Sequence, residues 1–216
     1  MVPNWADESN FHPMAAGPDI LSEVGDLRAF TAMYTGSLGD VQGLNLVVEA
    51  ADLLRQRADI GFVFVGSGVA EQSLRADVAS KGLDNVRFLG MWPLDRMSEI
   101  LALGDVQLVM LRDLPIFRRT LPSKVQSTLA AGRPIIGAVT GDAATIIDAS
   151  GAGTTVPPGS AVELAEAIDR MSRMVMRDRA RLGQTGRAYY ERELGRDLGG
   201  AKLEHVLKEA ANGRHP

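Results

Sequence analysis

Apolar residues in this chain come in short unbroken runs, separated by longer stretches with helical spacing. The runs Phe30–Thr35, Gly61–Val65, Val86–Leu89, Val106–Leu111, Ile135–Val139 and Thr154–Val156 predict six strands. Near-continuous apolar character, rather than strict alternation, suits strands covered on both faces. Between them the spacing predicts helices over Leu44–Arg55, Glu71–Lys81, Leu94–Leu103, Ser123–Ala131 and Ala143–Ala149. In the first of these, Leu46, Val47, Ala50, Ala51 and Leu54 fall on one face and form a core stripe. Three more helices are expected at Ala161–Met174, Arg177–Glu191 and from about Leu198 to Ala211, followed by a disordered tail, Asn212–Pro216. The rhythm predicts an α/β fold, a doubly wound, Rossmann-like parallel six-stranded sheet with a C-terminal helical extension. Ligands of such sheets bind outside the carboxyl ends of the strands.

Composition narrows the function classes. The 216 residues can bury a sizeable core, and 45% apolar with 23% charged is ordinary for a globular chain. A formal net charge of −4 argues against a general nucleic-acid surface, which would be basic. With no cysteine, disulfides and thiolate metal sites are excluded. No apolar run reaches the roughly 20 residues that span a bilayer. The first residues, MVPNWADESNFHPMAAGPD, are polar and proline-rich and lack the apolar core of a signal peptide. They read either as a short arm packed on the domain or as an interdomain linker.

The stretch Phe117–Val139, FRRTLPSKVQSTLAAGRPIIGAV, carries the strongest chemical signal. Pro122 opens a helix, because the amide it lacks had no intrahelical partner there. The amides around Ser123 and Lys124, with the positive end of the macrodipole, then form an anion site. Arg118, Arg119 and Lys124 are expected to add three full charges to the same spot, which suits a multiply charged phosphate ligand. Gly36-Ser37-Leu38-Gly39 follows the first strand, where glycines permit a tight turn and close ligand approach; it is not a G-x-G-x-x-G fingerprint. Gly66-Ser67-Gly68 ends the second strand in the same way, either as a packing turn or over a ligand. Met91-Trp92 follows the third strand. Trp92 could stack on a pyrimidine face or act as a packing wedge beside Pro93. His12, His205 and His215 are dispersed and form no metal spacing. Asp142 and Asp148 read as a helix cap and a solvated face. Arg170, Arg173, Arg177, Arg179 and Arg181, with Asp169 and Asp178 interleaved, read as a solvated, salt-bridge-laced face, with membrane contact as the alternative.

The pattern P-S-K followed by A-A-G-R-P-I-I resembles the donor-binding half of GT-B-fold glycosyltransferases of the retaining family 4, bacterial surface-polysaccharide type. Pro3-Asn4-Trp5-Ala6-Asp7 resembles their interdomain linker. Tyr34 to Gly39 with Gln42-Gly43-Leu44, then Val63–Gly68, Asn85–Gly90 and Gly104-Asp105-Val106, follow in family order. The resemblance implies a linker or arm over 1–27, a nucleotide-sugar-binding unit over 28–195, and a C-terminal helix and tail over 196–216. It implies an NDP-sugar donor, UDP-linked, held by Gly36, Ser37, Leu38, Gly39, Gly66, Met91, Trp92, Arg118, Arg119, Thr120, Pro122, Ser123, Lys124 and Ser127. It implies no cofactor and no metal, and the chain shows no D-x-D motif. The acceptor, a glycan or lipid-linked sugar, would bind through an N-terminal domain outside this chain, so the piece alone is expected to be inactive. The implied location is cytoplasmic, with peripheral contact at the inner membrane face as the alternative for the longer protein.

Two departures bear on mechanism. Family members carry an Arg and a Lys near the first loop; here the positions read Asp40 and Gln42. They also carry E-x7-E, the second glutamate five residues before the glycine of A-x-G-x-P. Counting back from Gly132 gives Ser127, and eight further gives Arg119, so both glutamates are replaced. A serine accepts one ribose hydroxyl but cannot clamp two. Gln126 or Ser127 is the expected substitute. A nucleotide-sugar epimerase and a non-catalytic pseudo-transferase module are the alternatives. About 170–200 upstream residues forming a second domain would favour the transferase.

Overall fold

The computed structural model describes residues 4–212. The strands are β1 (Phe30–Thr35), β2 (Ile60–Val65), β3 (Val86–Gly90), β4 (Val106–Met110), β5 (Ile135–Ala138) and β6 (Gly153–Val156). They form one parallel sheet in the order β3-β2-β1-β4-β5-β6. Chain order reverses between β1 and β4, so the crevice that such sheets offer to ligands opens above those two strands. The helices are α1 (Pro18–Val24), α2 (Asn45–Leu53), α3 (Glu71–Lys81), α4 (Met97–Leu103), α5 (Ser123–Ala130), α6 (Asp142–Ser150), α7 (Ala161–Ser172), α8 (Met176–Glu193) and α9 (Arg196–Asn212).

Successive strand residues point to opposite faces, and β1 shows why all of its positions are apolar or small. Phe30, Ala32 and Tyr34 face a cluster closed by Val47, Val48 and Ala51 of α2 and by Leu164, Ile168 and Met171 of α7. Met33 faces the other way, with Val63 and Val65, onto Ile100 and Leu103 of α4 and Ile20 and Val24 of α1. A third cluster, built on Val109 and Ile135, takes Val125 and Leu129 of α5, Ile147 of α6 and Tyr190 of α8. Helix α8 comes unusually close because of two glycines one turn apart. A Cβ on Gly183 would lie 2.0 Å from the Gly132 carbonyl oxygen, and one on Gly186 would lie 2.6 Å from the Ala152 Cβ. Helix α7 is capped by Ser160, whose hydroxyl accepts from the Glu163 amide at 3.2 Å.

Several expectations are corrected. The arm carries α1, unforeseen although Ile20 and Val24 stand one turn apart after Pro18. The expected helix Leu94–Leu103 divides into a 3-10 turn, Leu94–Arg96, and α4. Gly141 is the N-cap of α6, and Asp142, expected as its cap, is the first helical residue. The basic run is not uniformly solvated: Arg173 pairs with Asp169 and Arg181 with Asp178, but Arg179 turns inward to Asp105 at 2.9 Å. Pro3 of the linker motif, His215 and residues 213–216 of the expected tail lie outside the described residues.

Hydrogen bonds tie the arm to the body along its length. Asn4 O accepts from the Gln126 amide at 2.7 Å, and the Ala6 amide donates to the Tyr190 hydroxyl at 3.1 Å. The Ser98 hydroxyl donates to Asn10 O at 2.8 Å, and Met14 O accepts from the Arg133 guanidinium. Phe11 is thereby carried to the edge of the crevice.

Candidate functional site

Past the ends of β1, β2 and β3 the backbone stays zipped. The amide of Gly36 donates to Val65 O at 2.8 Å, and that of Gly66 to Gly90 O at 2.7 Å. The Leu38 amide donates to Ser67 O and the Ala70 amide to Leu38 O, both at 2.9 Å. This pairing needs glycine. Gly36 and Gly66 both sit at φ +125°, and a Cβ on Gly66 would lie 2.1 Å from the Gly36 carbonyl oxygen. Leu38 is fully buried beneath the turn, and the Tyr34 hydroxyl holds it by donating to Ser37 O at 2.8 Å. Burial pushes the Tyr34 phenol well above its ordinary range, so it stays a neutral donor.

Across Gly36 lies the start of α5. Pro122 is its N-cap, in extended conformation, rather than its first helical residue, and no side chain caps the helix. The Val125 amide donates to Pro122 O at 2.9 Å, and the Ser123 and Lys124 amides before it are left to solvent or a ligand. Lys124 folds inward over Gly36, where a Cβ would meet its Cε at 2.7 Å and its Nζ at 2.9 Å. Its Nζ stands 5.1 Å from the centroid of the Tyr34 ring, within cation–π range. Burial lowers the Lys124 pKa from its ordinary value. Among the described residues no carboxylate pairs with this ammonium. A desolvated cation without a counter-ion, beside uncapped helix amides, is arranged to receive an anion.

Two cavities flank this point and share Thr35, Gly36, Ser37 and Met97. One, of about 390 Å³, is bounded by Lys124, Ser123, Ser127, Thr128 and Gln107, with Phe11 from the arm. The other, of about 330 Å³, is bounded by Gly66, Ser67, Met91 and Trp92. Each falls within the size range of small-molecule sites. Neither lining contains an aspartate or a glutamate.

The expected site residues are only partly brought together. Gly36, Ser37, Gly66, Met91, Trp92, Ser123, Lys124 and Ser127 line the two cavities. Leu38 and Gly39 build the turn from below. The expected convergence of three cations is corrected. Arg118 and Arg119 end an exposed 3-10 turn, Pro115–Arg119, and line neither cavity. Arg118 turns to Asp113 at 3.4 Å, while its backbone packs on Gly141, where a Cβ would lie 1.9 Å from Arg118 O. Thr120 is exposed and donates to Ile116 O. Among the described residues, Lys124 alone brings a full charge to the lining of the two cavities. Trp92 behaves as a wedge on one side: it packs on the α4 cluster, donates to Leu89 O at 3.2 Å and carries the Arg96 guanidinium over its ring. The Ser127 hydroxyl donates back to Ser123 O at 3.0 Å, which leaves its lone pairs for the cavity.

Gln107 is a site residue that the sequence reading passed over. It is buried, accepts from the Thr35 hydroxyl at 3.3 Å and donates to Leu101 O at 3.1 Å. The signal was available, since a glutamine inside the apolar run VQLVM must find buried partners. Phe11 gave no such signal, because its place depends on how the arm is tied down. Among the described residues no group of three or more His, Cys, Asp or Glu could hold a metal ion, and no helix is long and apolar enough to cross a membrane.

Comparison with known proteins gives a consistent picture. The family described as "Glycosyl transferases group 1" matches residues 29–173. The probable glycosyltransferase WbjE of Pseudomonas aeruginosa is 30% identical over 175 residues, covering 79% of this chain and 43% of that protein. The putative colanic acid biosynthesis glycosyl transferase WcaI of Escherichia coli K12 is 35% identical over 133 residues, covering 60% and 32%. The chain thus spans under half the length of either relative. Among solved structures, the C-terminal domain of a group 1 glycosyl transferase (LpcC) from Francisella tularensis superposes with a TM-score of 0.72 at 18% identity, covering 88% of this chain and 99% of that one. Anabaena HepE, in complex with UDP and glucose, gives 0.77 at 19% identity, covering 95% and 55%. Both structures match the parallel sheet and flanking helices described above.

Proposed function

The chain belongs to the group 1 glycosyl transferases, and on that premise we propose that it is the donor-binding part of a retaining, family 4 enzyme that uses a UDP-sugar. One observation carries the reading: the Lys124 ammonium, desolvated and without a carboxylate partner among the described residues, stands at the uncapped start of α5 between two cavities. A diphosphate supplies the missing counter-charge. The two cavities, on either side of Gly36, then offer room for the nucleoside and the sugar.

In the proposed reaction the bond between the anomeric carbon and the diphosphate oxygen breaks, and negative charge grows on the departing UDP. Lys124 and the first amides of α5 are placed to stabilise that charge more strongly as it develops, which is what lowers a barrier. In this reading protein cations do the work that a bound metal could otherwise supply. The acceptor, a glycan or lipid-linked sugar of a surface polysaccharide, would be held by a part of the longer protein outside this chain. The name of WcaI, a putative colanic acid biosynthesis glycosyl transferase, supports that setting. The piece alone would bind nucleotide and catalyse nothing. Because the cavity linings hold no acid, and Arg119 and Ser127 stand at the two expected glutamate positions, a binding-only module is the second reading.

Calorimetric titration separates these from a dinucleotide-binding role. UDP and UDP-glucose are expected to bind at one site, and NAD not to bind. Equal affinity for NAD, or no heat with either UDP ligand, would overturn the proposal. Product analysis of the longer protein with several sugar nucleotides then distinguishes transferase from binding module.

A further inference from the structure

A third cavity, of about 610 Å³, lies at the opposite edge of the sheet, against the amino ends of β4 and β5. It is roofed by the arm at Pro13–Ala16 and walled by one face of α8, where Met176, Arg179 and Ala180 stand at i, i+3 and i+4. Three charged side chains line it: Asp105, Arg179 and Arg133. Asp105 is fully engaged, its Oδ1 accepting from Arg179 at 2.9 Å and its Oδ2 from the Thr31 amide at 2.9 Å. Arg179 is spent on the same carboxylate and on Met174 O, and its guanidinium covers the Phe30 ring.

Arg133 is different. It donates one bond, to Met14 O, and among the described residues it forms no ion pair. Burial pushes its guanidinium below the usual range, against the pull of Asp105. The helix ends nearby do not need it: Ala130 O accepts from Arg187, and Leu101 O accepts from both Gln107 and the Gly104 amide. A guanidinium has five donors in a planar fork; among the described residues one bond from Arg133 is made, and the residue lines a cavity whose charged side chains sum to one net positive charge. Apart from Gln184, the other side chains of the lining, Met14, Ala16, Leu103 and Met176 among them, are apolar.

We propose that this cavity is a second ligand site, separate from the crevice above β1 and β4, that takes a small amphiphile with a phosphate head on a short apolar body. The guanidinium fork of Arg133 grips two oxygens of the head at once, and the apolar body lies along Met14, Leu103 and Met176. The head chemistry is shared by a phospholipid at a membrane surface and by a soluble alkyl phosphate such as a metabolite. The site does not depend on the donor reading, because it uses none of the residues around Lys124.

The test uses octyl phosphate below its micelle concentration, followed by amide shifts of the whole chain. Saturable shifts are expected at Met14, Gly104, Arg133 and Ala180, unchanged by saturating UDP and retained in Lys124→Met. Arg133→Gln should weaken binding tenfold or more. Because that variant also loses the tie to the arm, Met176→Glu serves as the second: the residue is 76% exposed, so the fold tolerates the change while a negative charge at the mouth repels the head. Inorganic phosphate should bind at least tenfold more weakly than octyl phosphate. Binding to phosphatidylglycerol vesicles that Met176→Glu abolishes would identify the lipid source; binding of octyl phosphate alone would identify the soluble one. Shifts that UDP displaces, equal affinity for inorganic phosphate, or a Met176→Glu chain that binds as before would each overturn the assignment.

Discussion

Lys124→Met is expected to weaken UDP binding by roughly tenfold to a hundredfold, the value of about 1.5–3 kcal/mol for a hydrogen bond to a charged group, without weakening the fold. Methionine keeps an unbranched apolar stem over Gly36 and the Tyr34 ring and removes only the charge. Since burial alone depresses the lysine, its charged form is a cost in the unliganded chain, and the variant should unfold at the same denaturant concentration or a higher one. The pH dependence has a definite sign. The folded-state pKa lies below the ordinary 10.5, so between the two values the unfolded chain binds more protons and stability rises with pH. Over the same window the ammonium is lost and UDP affinity falls. Lys124→Met should show neither trend. Lys81→Ala is the control: Lys81 ends α3, pairs with Asp52 at 3.1 Å, and should leave UDP affinity unchanged. Unchanged UDP affinity in Lys124→Met would remove the phosphate role from α5.

Gly66→Ala is expected to be the most damaging single methyl group in the site. The residue sits at φ +125°, and its Cβ would lie 2.1 Å from the Gly36 carbonyl oxygen, which is backbone and cannot swing aside. Strain and displacement together should cost on the order of 3 kcal/mol. Because moving Gly36 also moves the floor under Lys124, UDP affinity should fall with stability. Gly82→Ala separates the two contributions. Gly82 has φ +60° with nothing within 4 Å of a Cβ, so it should cost only the left-handed backbone penalty, about 1–2 kcal/mol, and leave UDP binding intact. Urea denaturation of both variants measures the difference. Equal losses would mean that the contact between the first two loops carries no energy of its own.

The sheet was legible because its four central strands are buried on both faces, which leaves apolar runs such as Ile60–Val65 that cannot be mistaken for surface. Lys124 was legible for a local reason: a helix entered through proline, with a lysine in its first turn, is a short-range arrangement. The neighbouring arginines were misjudged because nearness in sequence says nothing about where a turn aims its side chains. Arg118 has an acid within reach at Asp113, and the chain between it and Pro122 turns outward. Arg179 was misjudged in the other direction. It falls inside a run that reads as solvated, yet Asp105, some 70 residues away in sequence, draws it into the core edge. Trp92 could not be settled from composition, since stacking and wedging use the same ring. Its place was decided by Arg96 and the α4 cluster. Ser127 was found only through the resemblance, because a serine in mid-helix carries no signal of its own.

The most direct test of the central claim is a map of UDP on the chain by backbone amide shifts. The account predicts that Gly36, Ser37, Ser67, Trp92, Ser123, Lys124 and Ser127 shift together along one saturable curve. It predicts that Arg118 and Arg119 follow weakly, and that Arg173 and Arg181 on the far helices do not move. Shifts confined to the exposed arginines, with Gly36 and Lys124 still, would contradict it.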